Sequence, residues 1–246
     1  MKTCTARIVP AGVLAAVSAL AHYTWVSPVA LPLEVGKTAT VRISHGHKFP
    51  QSEEAINVRE VEFFVLAPSG ERVRLEPAVS KTAIAASYSV KEEGLHRIVL
   101  LQDRGVISRT PKGVQAGGRD KHPDATQAYR TLRSAVAYAA TSKASSLSGK
   151  PAGLEFELAG EYSNGAWQLV LMNHGKPVPE APIEVFLTGA TQAASAGRTD
   201  PNGRLTYRLP AGAKAPAMFS VEMKGKPPSG ARYDSVNYAT SLYVSW

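Results

Sequence analysis

The sequence predicts a mainly β protein built from two β-sandwich domains with one connecting α-helix. Three observations predict it. Apolar and polar residues alternate over short stretches, as in residues 38–43 and in 238–246, where Tyr238, Thr240, Leu242, Val244 and Trp246 share one face. Turn residues punctuate these stretches too closely for βαβ units. Only one segment, 124–143, carries apolar residues at helical spacing.

Taken in order, the chain opens on Lys2 and Arg7, followed by a short apolar run over 8–21 that ends in Ala19-Leu20-Ala21. A positive start, an apolar stretch of about fourteen positions and a small-x-small ending form a cleavable export signal. The run is shorter than the roughly twenty apolar residues a spanning helix needs. Cleavage after Ala21 would release a chain beginning at His22, located in the periplasm. It would also remove Cys4, the single cysteine, so the released chain has no thiolate or disulfide chemistry. The 28 Lys and Arg against 20 Asp and Glu give the 246-residue chain a net charge of +8. That charge is scattered, with no basic helix or aromatic-interleaved run to suggest nucleic acid.

An N-terminal sandwich is expected over 22–115. Residues 38–43 are rich in β-branched side chains; 58–66 place Val61, Phe63 and Val65 on one face; Ala67-Pro68-Ser69-Gly70 turns the chain into 71–75 as a hairpin. Residues 82–90 and 95–101 add two more strands. The segment 116–150 reads as loop, helix and linker, and 102–123 as polar loop. Asp124 can cap a helix to about residue 143, with Tyr129, Leu132, Val136 and Ala139 or Ala140 on one stripe. A second domain is expected over 151–246, with strands at 155–158, 167–172, 183–187, 204–209, 218–221 and 238–246. Its turns, Asn173-His174-Gly175-Lys176-Pro177 and Thr199-Asp200-Pro201-Asn202-Gly203, combine side-chain capping, a fixed φ and a positive φ. The stretch 175–209 resembles a hairpin of transthyretin-like and immunoglobulin-like modules.

Enzyme signatures are missing. The chain has no nucleophile elbow, phosphate loop or zinc-protease helix motif. Glu53-Glu54 and Glu92-Glu93 are adjacent pairs that a strand would point to opposite faces. The candidate chemistry lies in histidine, at His22, His45 and His47. Once it is the first residue, His22 offers an α-amine and an imidazole Nδ1 that together close a six-membered chelate ring on a divalent cation. An α-amino pKa of roughly 7.7–8 makes that nitrogen available near neutrality. Imidazole suits nickel, cobalt, copper and zinc. The structural alternative is a ring resting on Trp25. His45 and His47 stand two apart at the end of a strand, about 6.5–7 Å from each other on one side, and Gly46 between them favours convergence. Glu53 and Glu54 can add an oxygen ligand or receive an imidazole N–H. His96 reads as structural, and His122 and His174 as solvated.

Ala21-His22-Tyr23-Thr24-Trp25 followed by Gly46-His47-Lys48-Phe49-Pro50 resembles a bacterial family of unknown function described as the periplasmic component of cobalt or nickel uptake transport. The strand at 93–99, a helix near Tyr129 to Tyr138 and the turn module at 175–203 agree in order, so the resemblance covers nearly the whole released chain. It implies a β-rich periplasmic protein that binds Ni²⁺ or Co²⁺ through its N-terminal histidine and serves a membrane uptake transporter. Two other classes compete. A metal-independent envelope or glycan-binding module would use Tyr23, Trp25 and Trp167 as exposed contacts. A copper oxidase resembling the lytic polysaccharide monooxygenases would pair His22 with His47, although the rest of the chain does not resemble those enzymes.

Overall fold

The computed structural model describes residues 22–81, 84–142 and 147–246; the expected export signal, 1–21, lies outside the described residues. The strands of the first half are β1 (Tyr23–Pro28), β2 (Thr38–Gly46), β3 (Val61–Leu66), β4 (Arg72–Arg74), β5 (Ala78–Val79), β6 (Ile84–Ser89), β7 (Leu95–Thr110), β8 (Gly113–Ala116) and β9 (Gln127–Ala140). Those of the second are β10 (Phe156–Ser163), β11 (Ala166–Asn173), β12 (Lys176–Pro177), β13 (Pro182–Leu187), β14 (Ala194–Arg198), β15 (Arg204–Arg208), β16 (Ala217–Gly225) and β17 (Ser235–Val244). The expected mainly β class is what the chain adopts.

Three sheets result. One small sheet runs β1-β2-β6-β5, and another joins β10, β11 and β12, with β15 on the other edge of β11. Between them lies a nine-stranded sheet ordered β14-β13-β16-β17-β9-β7-β3-β4, with β8 on β7. It takes strands from both halves of the chain, joined where β17 runs parallel to β9.

The layering follows from side-chain parity, because neighbours along a strand point to opposite faces. Ile98 and Leu100 of β7, with Ala135 and Ala137 of β9, pack with Trp25, Ile43 and Ile84 of the first small sheet. Val99, and Val136 with Tyr138, pack instead with Leu158, Trp167 and Leu169 of the second. The nine-stranded sheet is therefore the middle of three layers, its central strands covered on both faces over much of their length. In β17 the shared face expected for Tyr238, Leu242 and Val244 is observed in the second core, while Tyr243 faces the first.

Two expectations fail here. The helix expected over 124–143 is not formed: residues 127–140 are β9, paired antiparallel to β7 and parallel to β17. Tyr129, Leu132, Val136 and Ala139 fit a helical stripe because 135–140 are apolar on both faces of β9 and the polar residues before them, Arg130, Thr131, Arg133 and Ser134, do not alternate with apolar ones. The polar loop expected over 102–123 is largely an extension of β7 turned back through β8. Among the described residues the only helical element is a 3₁₀ turn at Val58–Glu60, and no helix is long and apolar enough to cross a membrane.

Candidate metal centre

The geometry of the candidate site begins with how firmly β1 is held. Trp25 is 1% exposed and packs edge-on to Phe49, with ring centroids 5.7 Å apart. Tyr23 packs against Phe186 at 4.6 Å, and its hydroxyl donates to Glu184 Oε2 at 2.7 Å. Burial and that carboxylate raise the Tyr23 phenol well above its ordinary pKa, so it stays protonated as the donor. Ser241 Oγ donates to the Thr24 carbonyl at 2.7 Å, pinning β1 onto β17. His22 thus stands directly before a strand whose first three residues are all anchored.

Antiparallel pairing of β1 with β2 sets Thr24 opposite His45 and Tyr23 opposite Gly46. Strand β2 ends at Gly46, where φ is +144° and an added Cβ would lie 2.6 Å from Glu53 Oε2. The chain then turns back and lays Glu53 and Glu54 along the strand end. The Glu53 amide donates to the His45 carbonyl at 2.9 Å, and the His47 amide donates to Glu53 Oε2 at 2.6 Å. That amide, assisted by Lys48, holds the Glu53 carboxyl below the usual carboxylate range.

The three histidines singled out in the sequence meet. The His22 ring lies 4.1 Å from the His47 ring and 5.1 Å from the His45 ring, centroid to centroid. Glu54 Oε1 stands 3.5 Å from His22 Nε2 and 3.5 Å from His45 Nε2, while His47 Nδ1 is 3.4 Å from Glu53 Oε2. Donor atoms of His22, His45 and Glu54 all lie within 4.8 Å of one another. A cation with bonds near 2.1 Å and tetrahedral angles separates its donors by about 3.4 Å, so this set can close on one ion with small side-chain movements.

His45 is the buried member, 7% exposed, and its Nδ1 sits 2.8 Å from Thr24 Oγ1. Loss of solvent, followed by the positive charge of Arg133 and by His22, brings its pKa down to about 4. The ring is therefore neutral near pH 7. In the tautomer whose Nδ1–H donates to Thr24 Oγ1, Nε2 keeps its lone pair for a cation. His22 presents Nε2, not Nδ1, to Glu54; a chelate through the α-amine and Nδ1 requires that ring to turn.

The remaining histidines lie elsewhere. His96 is fully buried, with Nδ1 at 2.9 Å from Tyr88 Oη and Nε2 at 3.0 Å from the Glu92 carbonyl. His174 lies by Glu155, and His122 by the Ala116 carbonyl. Sequence reasoning missed Thr24 and Arg133, whose relevance depends on strand register. It also misplaced the aromatic contacts of the binding-module reading. Trp25 and Trp167 are 1% and 0% exposed, because their rings fill the two cores, and Tyr23 is half-buried.

Fold and cluster together define a three-layer β protein with a histidine–carboxylate group at the open end of β1 and β2. Residues 19–224 match a family described as a domain of unknown function (DUF4198), and the chain belongs to that family. Among solved structures it has a distant likeness to a DUF4785 family protein of Legionella pneumophila, at 10% identity and a TM-score of 0.30. That match covers 82% of this chain and 52% of the other, so the chain spans about half the length of that protein. No curated protein matches it.

Proposed function

We propose that this chain is exported to the periplasm, is cut after Ala21, and binds a divalent transition metal, nickel or cobalt, which it passes to a membrane uptake transporter. His22, His45 and Glu54 are the ligands, with His47 beside them as a fourth donor. The observation that carries the reading is the convergence, from three separate stretches of chain, of imidazole nitrogens and one carboxylate oxygen within 4.8 Å. Two features favour a cation over a simple surface cluster. His45 is held neutral, with its second nitrogen engaged by Thr24, and the donor set is nitrogen-rich, as borderline divalent metals prefer.

Isothermal titration of a chain beginning at His22 with Ni²⁺, Co²⁺ and Cu²⁺ tests the proposal. One ion should bind per chain, and His45→Ala should weaken binding about 10–100-fold or more. A chain carrying one extra alanine before His22 separates the two coordination modes. Loss of binding assigns the α-amine to the metal, and unchanged binding assigns the imidazoles and Glu54 alone. No binding of any of the three ions by the unaltered chain overturns the reading. Copper-selective binding with peroxide production under a reductant replaces it with oxidase chemistry.

A further inference from the structure

Immediately beside the histidine cluster, the nine-stranded sheet extends past the edge of the small sheet that covers it and leaves part of its face open. Register places the side chains of this open face. Glu222 pairs with Ala239 and Lys224 with Asn237 across β16 and β17, and Ala239 and Asn237 pair with Arg133 and Thr131 across β17 and β9. Together with Tyr129 and Arg104 these residues line a groove of about 440 Å³. Arg133, Glu222 and Ala239 also line the narrow cleft that His22 and Thr24 close at the other end. Groove and cluster thus share a wall, and the cleft between them, about 10 Å³, has room for no more than about one water.

The charge of this groove is unbalanced. Arg104, Arg133 and Lys224 face Glu222 alone. Arg104 is engaged by Glu60 at 3.7 Å. Among the described residues Arg133 has no ion pair within 4 Å and no hydrogen bond; it is half-buried, and the charge of Glu222 acts on it against that of Arg104. A guanidinium drawn out of water with its donors unfilled is costly. Its planar fork of donors matches a carboxylate in two parallel hydrogen bonds. With His22, His45 and Glu54 as ligands and His47 off the metal, a fourth position of a tetrahedral ion is open to an outside ligand.

From this juxtaposition we infer that the groove binds a small polycarboxylate, with one carboxylate on Arg133 and Lys224 and another reaching the cation beside His22, so that the metal is taken up as a chelate. The second contact rests on the metal-binding reading; the first does not. Tyr129 and Asn237 supply hydrogen bonds along the floor, and Glu222 disfavours ligands that fill the groove with negative charge throughout.

The probe is citrate, titrated into the chain beginning at His22 with and without Ni²⁺. Metal-free citrate should bind, and Ni²⁺ should tighten it. Arg133→Ala should weaken citrate about 10–100-fold, and Arg133→Lys should recover only part of the loss; both variants should melt like the parent, and Arg133→Ala, which takes a positive charge away from beside His45, should not weaken Ni²⁺ binding measured without citrate. Equal competition by sulfate or phosphate would overturn the polycarboxylate assignment in favour of a general anion site. Ni²⁺ binding without any citrate binding overturns the groove and leaves the metal site standing. Citrate binding that depends on Arg133, with no Ni²⁺ binding, keeps the groove and removes the metal.

Discussion

Gly46→Ala is the substitution that tests the candidate site most directly, because both its cost and its target can be worked out. Gly46 has a φ of +144°, a region nearly closed to residues with a side chain. Holding alanine there costs about 1–3 kcal/mol. The new methyl would also meet Glu53 Oε2 at 2.6 Å and its Cβ and Cγ at 2.9 Å each, so the Glu53 side chain must move at a similar cost. The sum is at least about 2 kcal/mol, and for a chain of this size roughly 2–4 °C of Tm per kcal/mol makes that a fall of about 4–8 °C or more. Glu53 is what holds the His47 amide, so Ni²⁺ affinity should fall about 10–100-fold in the same variant. Gly36→Ala is the control: its φ is +83°, and an added methyl meets nothing within 4 Å. It should show backbone strain alone and normal metal binding. Thermal melts and calorimetric titration of both variants decide the matter. A Gly46→Ala protein as stable as Gly36→Ala, with parental affinity, would refute the reasoning that Gly46 exists to let Glu53 close over the strand end.

Ni²⁺ at a hundredfold excess over its Kd should stabilise the chain beginning at His22 by about 2.7 kcal/mol, read as a rise of several degrees in Tm that a chelator reverses and that His45→Ala cuts to about 0.4–1.4 kcal/mol at the same Ni²⁺. In the metal-free protein, burial lowers the pKa of both His45 and His96. Their unfolded forms bind protons more readily than the folded ones, so stability should be full above about pH 6.5 and fall as pH drops toward 4. Urea midpoints at pH 7.5 and 4.5 check the sign, and His96→Asn should flatten the slope. Tyr138→Phe keeps the packing of a side chain that is 1% exposed but removes a hydroxyl that accepts from the Gly160 amide at 3.0 Å and donates to the Gly149 carbonyl at 3.1 Å. It should cost about 1–3 kcal/mol, seen as a lower urea midpoint with an unchanged slope.

What the sequence determined by itself was whatever depends on near neighbours in the chain. Alternation in 38–43 and 238–246, the turn at 67–70 and the Asp200–Gly203 turn each specify local geometry, and strands formed at those places. The histidines were visible because their residue type and the spacing of His45 and His47 already carry the chemistry. The three-layer arrangement was decided only by tertiary structure. Residues 135–140 are apolar on both faces and 127–134 show no strict alternation, so nothing in their order distinguishes a helix stripe from a buried strand; β7, β17 and the two cores make that choice. The partnership of Glu54 with His22 and His45, the Thr24 contact and the exposed groove beyond Arg133 likewise arise from strand register and sheet overlap. These are long-range facts, since a side chain's partners across a sheet are set by which strand pairs with which.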